Sequence, residues 1–287
     1  MNSFVEYVLL ESIESVEEFL KLQFGASSNK CKKYFDKSFL NRSFPARSTL
    51  RLPLNFVNDG MINSQYEGPE IEIIYEDELF LVLNKPANIF VHPLCYEEKN
   101  NCLSFLRSTR PDLLSVNIGH YDRGLLYRLD FETSGVLVYV KNENDYRFMR
   151  EHFNECAKKK IYVAVVEGDC RLNGKFLHYF SSKEIKGRRV TVSDHSEGGD
   201  EQVGELSIIT STILCDSDAS LLEVELKSGL RHQIRAQLSH LNFPIRGDEF
   251  YGGKVAKRLY LHALKYELIY KEKSYQFITQ PSDFNGF

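Results

Sequence analysis

Leu126-Tyr127-Arg128-Leu129-Asp130-Phe131-Glu132-Thr133-Ser134-Gly135-Val136-Leu137-Val138-Tyr139-Val140 is the stretch on which the reading of this chain turns. Its end, Val136 to Val140, is β-branched, apolar and aromatic, and reads as a buried strand. Gly135 lets the backbone enter that strand tightly. Asp130 lies in the short polar break before it, flanked by Leu129 and Phe131, with Arg128 two positions back. A carboxylate at the edge of a core beside a cation is a candidate chemical group. By pattern alone, a solvated loop aspartate is the commoner reading.

Outward from this stretch, strands outnumber helices. Ile71 to Tyr75 and Phe80 to Leu83 read as strands around the turn Glu76-Asp77-Glu78. Ile161 to Val166, Val190 to Val192, Ser207 to Leu214, Leu221 to Leu226, Leu259 to Ile269 and Tyr275 to Thr279 read as further strands, with hairpin signals such as Lys186-Gly187 between them. Short helices are expected at Cys102–Arg107, after Asn144, and after Gly229, where Leu230, Ile234, Leu238 and Leu241 share one face. On that helix Arg231 and Arg235 would lie one turn apart. Pro111 to Gly124 reads as a loop. The pattern predicts an α+β fold with a large mixed or antiparallel sheet.

Before Ile71 the composition changes. Ser15-Val16-Glu17-Glu18 is a capping-box pattern, followed by Val16, Phe19, Leu20 and Phe24 at helical spacing, with Gly25 as a stop. From Lys21 to Arg51 there are eight bases against the single acid Asp36. Tyr34, Phe35, Phe39 and Phe44 are interleaved with them. That suits phosphate contacts with base stacking, and it equally suits a small amphipathic core. Further basic clusters are Lys158-Lys159-Lys160 and Lys183, Lys186, Arg188 and Arg189. Asn58-Asp59-Gly60 and Glu67-Gly68-Pro69 mark a boundary, so residues 1–68 form an N-terminal extension and residues 69–287 the main domain.

A chain of 287 residues with 43% hydrophobic and 26% charged residues has ample material for a core and the balance of a globular protein. No apolar run is long enough to cross a bilayer, and the start lacks the basic-then-apolar layout of a signal peptide, so a cytoplasmic address is expected. The six cysteines form no C-x-x-C pair and show no zinc spacing with histidine, so reduced thiols and no structural metal are expected. A net charge of −4 does not by itself advertise a nucleic-acid partner, but three basic clusters make an RNA footprint reasonable.

Two more blocks carry candidate chemistry. Lys160-Ile161-Tyr162-Val163-Ala164-Val165-Val166-Glu167-Gly168 is a strand with a cation and a phenol at its start. Alone, it reads as a strand-end tyrosine in the core. Gly229-Leu230-Arg231-His232-Gln233-Ile234-Arg235 brings arginines beside a buried face, where a structural ion pair is the ordinary explanation, and a lone His232 would more often cap or pack than catalyse.

Together these blocks resemble, in order, the motifs of the RluA-type pseudouridine synthases. Arg-Leu-Asp-x-x-Thr-Ser-Gly at Arg128–Gly135 resembles the catalytic motif, in which the aspartate is essential. Lys-x-Tyr-x-Ala-x-x-x-Gly at Lys160–Gly168 resembles the second motif, whose tyrosine packs over the target uracil and is proposed to help move a proton. His232-Gln233-Ile234-Arg235 resembles the third, whose last arginine pairs with the aspartate. Asn84-Lys85-Pro86, His92-Pro93, Asn242 to Asp248, Tyr251-Gly252 and Arg258 to Ala263 fit the same series, so that the resemblance runs from about Ile71 to Leu268. Tyr127, Leu230 and Gln237 depart from residues common in the family, and so does Asn88, which stands where Gly is frequent.

The resemblance implies a pseudouridine synthase fold. It implies an isomerase that converts uridines in structured RNA, ribosomal RNA rather than transfer RNA, with no cofactor and no metal. Asp130, Tyr162 and Arg235 would be catalytic, and Arg128, Lys160 and Arg231 would hold the RNA. The protein would be a monomer with no membrane contact. Many members carry a small S4-like RNA-binding domain at the N-terminus. Residues 1–68 lack its usual Gly-x-Val-x-Val-Asn ending, so a degenerate S4-like domain is implied and its fold left open. Two alternatives stand beside this. One is an inactive RNA-binding or assembly factor on the same fold, which would need none of the catalytic trio. The other is a hydrolase using Asp130 and Glu132 as paired carboxylates, which no second motif supports.

Overall fold

The computed structural model describes residues 4–284, except 10, 25, 58–61, 94–96, 118–121, 186–188 and 215–217 and the side chains of 182–185. Gly25, Asn58-Asp59-Gly60, Lys186-Gly187, Arg188, Cys95, Cys215 and the Lys183 side chain therefore lie outside the described residues. In chain order the elements are β1 (Phe4–Val8), α1 (Val16–Phe24), α2 (Ser28–Tyr34), α3 (Lys37–Leu40), β2 (Thr49–Pro53), α4 (Leu54–Val57), β3 (Glu72–Glu76), β4 (Phe80–Lys85), α5 (Cys102–Thr109) and β5 (Ser134–Val140). Then follow α6 (Glu143–Glu151), α7 (Phe153–Cys156), β6 (Ala157–Glu167), β7 (Gly174–Ile185), β8 (Arg189–Ser193), β9 (Gln202–Leu214), β10 (Ala219–Leu226), α8 (Gln233–His240), β11 (Leu261–Tyr270) and β12 (Lys273–Ile278).

Ten strands form one sheet in the order β3-β4-β5-β11-β6-β10-β9-β7-β8, with β12 added to β11. Among the described ladders only β5 and β11 run parallel, and they meet over His262–Ser134 and Ala263–Gly135. The approach is close. A Cβ on Gly135 would lie 2.3 Å from the Ala263 carbonyl oxygen, and Gly135 has φ +117°. The glycine of the opening stretch is therefore required by this junction. All seven residues of β5 are buried, as expected of a strand in the middle of a sheet.

Sequence and structure differ at several elements. Asn142, not Asn144, caps α6 by accepting from the Asp145 amide, and the run breaks at His152 before α7. The helix after Gly229 starts only at Gln233. Gln233 Oε1 accepts from the Leu230 amide and from Ser228 Oγ, which holds the lead-in as a loop. Arg231 therefore lies off the helix and exposed, not one turn from Arg235. Strand β7 carries no clear alternation: Leu177 points outward at 57% exposure, whereas His178 is buried.

The extension has its own core. β1 pairs with β2, and Leu9, Val16, Leu20, Leu40, Leu50, Leu52 and Phe56 are buried together. Tyr34 and Phe35 pack edge-on against Phe56, at 5.4 and 5.0 Å between centroids. The interleaved aromatics turn inward, while Lys32, Lys33, Lys37, Arg42, Arg47 and Arg51 are exposed. Arg107 on α5 ties this unit to the large domain, donating to the Gln23 and Ile62 carbonyls at 2.9 Å each. Cys31, Cys102, Cys156 and Cys170 are free and buried.

Candidate active site

The three sequence blocks converge on one cleft of about 810 Å³. Asp130, Tyr162, Arg235, Arg128, Lys160 and Arg231 all line it, with His232 and Tyr266. The Arg128–Thr133 loop enters β5 through a turn closed by the Thr133 amide on the Asp130 carbonyl, 3.2 Å. Its far side is braced by Lys85, which is fully buried and donates to the Pro86 and Phe131 carbonyls at 3.0 Å each. Burial pushes the Lys85 ammonium down to about 8, although Cys102 and Asp130 partly oppose this. In the sequence Lys85 stands out only as part of a motif, with no sign of its burial.

Arg235 comes from α8 and is 4% exposed in its side chain. Its tight partner is Asp248: Nε donates to Oδ2 at 2.7 Å and Nη2 to Oδ1 at 2.9 Å. The remaining nitrogen, Nη1, reaches Asp130 Oδ2 at 3.5 Å and Glu132 Oε2 at 3.4 Å. Burial works against the guanidinium charge, but the hydrogen-bonded Asp248 carboxylate, with Glu132 and Asp130 adding to it, outweighs this and raises the Arg235 pKa. Asp248 thus aims the arginine, and Asp130 receives its remaining edge. The expected Asp130–Arg235 pair is present but looser than the Arg235–Asp248 pair, which sequence reasoning did not foresee.

Tyr162 lies on β6, buried, with its hydroxyl 3.1 Å from that of Tyr266. Burial pushes its phenol up to about 12. Tyr266 in turn stacks on Tyr127, with centroids 4.0 Å apart and planes 6° from parallel, and Tyr127 donates to the Val136 carbonyl at 3.0 Å. The departure at Tyr127 thus forms one wall of an aromatic stack.

The expected RNA ligands divide. Arg128 and Arg231 are exposed at the rim. Lys160 is different. It is 5% exposed, and its ammonium donates to the Lys227 and Ser228 carbonyls at 3.1 and 2.9 Å. Burial, with Lys227 nearby, pushes it down to about 8. Here its ammonium clamps the loop that leads to His232 instead of standing at the rim.

Among the described residues, His178, Asp194 and His240 could hold a metal, their ligand atoms lying within 4.8 Å of one another. His178 Nδ1, however, faces the Gln237 side-chain nitrogen at 2.8 Å, and that nitrogen also donates to the Gly204 carbonyl at 3.2 Å. This leaves the proton on His178 Nε2, the atom a metal would need. The departure at Gln237 is built into this network.

The chain belongs to the RNA pseudouridylate synthase family, whose profile matches residues 79–240. Its relatives include ribosomal large subunit pseudouridine synthase D of Borreliella burgdorferi, 34% identical over 73% of this chain and 65% of that one. An uncharacterized RNA pseudouridine synthase of Helicobacter pylori strain J99 is 30% identical over 90% of this chain and 94% of its own length. The chain thus spans just under two-thirds of the Borreliella relative. Human RNA pseudouridylate synthase domain containing 1 shares the fold, with a TM-score of 0.59 at 21% identity over 76% of this chain and 86% of that one.

Proposed function

We propose that this protein is an RNA pseudouridine synthase acting on large-subunit ribosomal RNA. The observation that carries the reading is the convergence of Asp130, Tyr162 and Arg235 on one cleft, with Arg235 oriented by Asp248 toward the Asp130 carboxylate. A pure RNA binder needs no such constellation. The reaction breaks the N1–C1′ glycosidic bond, rotates the uracil and rejoins it through C5, which loses its proton as N1 gains one. Asp130 acts as nucleophile, or as base at the ribose C2′, and either role uses an ionised carboxylate near a cation. Arg235 supplies that cation. Tyr162 packs at the base and takes part in proton movement. No cofactor enters this scheme.

The target uridine is flipped out of folded RNA to reach the cleft. Arg128 and Arg231, exposed at the rim, meet its flanking phosphates. The exposed bases of residues 1–68 extend this surface, with that unit serving as an RNA-binding appendage to the catalytic domain at 69–287. The ribosomal preference rests on the names of the relatives. The reading carries a cytoplasmic address and a monomer working alone; among the described residues no helix is long and apolar enough to cross a membrane.

Pseudouridine mapping across the RNAs of a strain lacking this protein tests the reading. Loss of at least one site in large-subunit ribosomal RNA supports it. An unchanged map, with loss of none in any RNA, contradicts it.

A further inference from the structure

His232 has three features that neither the sequence motifs nor the pairing of Arg235 accounts for. First, it occupies the residue before α8 with φ 52° and ψ 24°, a left-handed conformation uncommon outside glycine and better tolerated by His, Asn and Asp than by other side chains. Second, its Nδ1 lies 3.0 Å from the Tyr251 hydroxyl. Third, its Nε2 lies 4.0 Å from Asp130 Oδ2, the same oxygen that Arg235 Nη1 approaches at 3.5 Å.

One backbone amide sets the direction of the hydrogen bonds through these atoms. The Val190 amide donates to the Tyr251 oxygen at 3.2 Å. An amide can only donate, so the phenol oxygen is the acceptor there, and its own proton is available to His232 Nδ1. A ring nitrogen that accepts carries no proton, and the neutral imidazole then carries its hydrogen on Nε2. That hydrogen is on the nitrogen nearest Asp130, 4.0 Å from Oδ2, a separation that must close by about 1 Å for a hydrogen bond to form when substrate binds.

We propose that Tyr251 and His232 form a relay that fixes the His232 Nε2–H tautomer, making His232 a positioning residue poised, with the Arg235 guanidinium, to hold Asp130 Oδ2. With both donors addressing Oδ2, Oδ1 is the oxygen left to the ribose. The left-handed backbone at His232 is the device that turns the ring back from the helix start toward the loop. It is held by the Ser228–Gln233 clasp on one side and by Tyr251 on the other. The charged groups facing the ring are Asp130 and Glu132 from the loop and Arg231 and Arg235 from its own segment. Arg189 lies over the Tyr251 ring at 5.3 Å. Burial first, and then the two arginines, depress the His232 pKa against the pull of Asp130, so the neutral ring is the working form at neutral pH.

This inference rests on the synthase reading above, so its test has one arm that needs no RNA. In the free protein, long-range nitrogen–proton NMR of the His232 ring reads the tautomer directly. The expected result is a protonated Nε2 and a bare Nδ1, with a mixture in Tyr251→Phe. The kinetic arm uses a large-subunit ribosomal RNA substrate. His232→Leu should lower kcat by about ten- to a hundredfold, the range of a hydrogen bond to a charged group that closes up only with substrate bound, with KM little changed. His232→Gln, which keeps a side-chain N–H, should restore most of that. Tyr251→Phe should fall between, and the double variant Tyr251→Phe/His232→Leu should be no slower than His232→Leu, because both changes remove one relay. Thermal unfolding of each variant confirms that rates are compared among folded proteins. A proton on Nδ1, wild-type kcat in His232→Leu, or additive losses in the double variant would overturn the relay. If the wild-type protein converts no uridine, the synthase reading fails, and the ring measurement still decides the tautomer.

Discussion

Arg235 and Asp248 meet through two parallel hydrogen bonds, with side chains only 4% and 1% exposed, while Asp130 waits at the third guanidinium nitrogen. The arrangement separates two tasks. Asp248 compensates the buried charge and fixes its plane. Asp130, at 31% side-chain exposure, remains open to the cleft.

Breaking the buried pair should therefore show first as lost stability. Asp248→Asn leaves a buried guanidinium without its counter-charge, and Arg235→Met leaves the carboxylate alone; each should cost about 3–5 kcal/mol in denaturant unfolding. Arg235→Met/Asp248→Leu should cost less than the sum of its parts. Additive losses would mean that the two residues do not depend on each other.

Activity should distinguish the charge from its geometry. Arg235→Lys keeps a cation but offers a point charge where a planar fork stood. It should retain a measurable fraction of kcat, whereas Arg235→Met, assayed at a temperature where it is folded, should lose nearly all. A wild-type rate in folded Arg235→Met would show that Arg235 has no part in the chemistry.

Lys85 predicts a pH effect of definite sign. Its ammonium has a folded pKa of about 8, against about 10.4 in an unfolded chain. Between those values the unfolded state binds more protons, so the wild-type protein gains stability relative to Lys85→Met as pH rises from about 8 to about 10.4. Below pH 8 the penalty for burying the charge is fully present. Urea midpoints across this window measure it, and a constant difference between the two proteins would contradict the buried, charged-at-neutral assignment.

The N-terminal unit should contribute affinity through exposed charge. Replacing Lys32, Lys33, Lys37 and Arg42 by Gln removes no buried side chain, because all four are exposed. RNA binding should weaken, and the slope of log K against log salt should shrink by roughly 0.7–0.9 for each phosphate that is no longer neutralised. An unchanged slope would make this face a solvated surface. Deleting residues 1–68 is a poorer test, since it strips Arg107 of its Gln23 and Ile62 acceptors.

Much of this was legible in the sequence where a residue type has one main use. The apolar run of β5 and the glycine at its mouth read as a tight entry into a buried strand. Ser15 read as a cap, and α1 buries Val16, Phe19, Leu20 and Phe24 as its spacing predicted. What could not be read depends on contacts distant in the chain. Asp248 gains its meaning only when the segment after α8 folds back onto Arg235. Lys160 looks like a surface base in a run of three, and only the sheet register places it beneath the Lys227–Ser228 carbonyls. His232 looks helical until the Gln233 side chain claims the Leu230 amide. Strand β7 hides because Leu177 faces out and His178 faces in beside the inward Phe176 and Phe180.

The role proposed for Asp130 is chemistry on a uridine. Forming the new C5 bond expels the C5 hydrogen, so large-subunit ribosomal RNA carrying tritium at uracil C5 releases it to water as pseudouridine forms. The wild-type protein should release tritium in proportion to a mass-neutral isomer in the RNA. Asp130→Asn, which keeps shape and removes the charge, should release none above background while binding the RNA nearly as tightly. Release at the wild-type rate by Asp130→Asn, or none by the wild-type protein, would contradict the account.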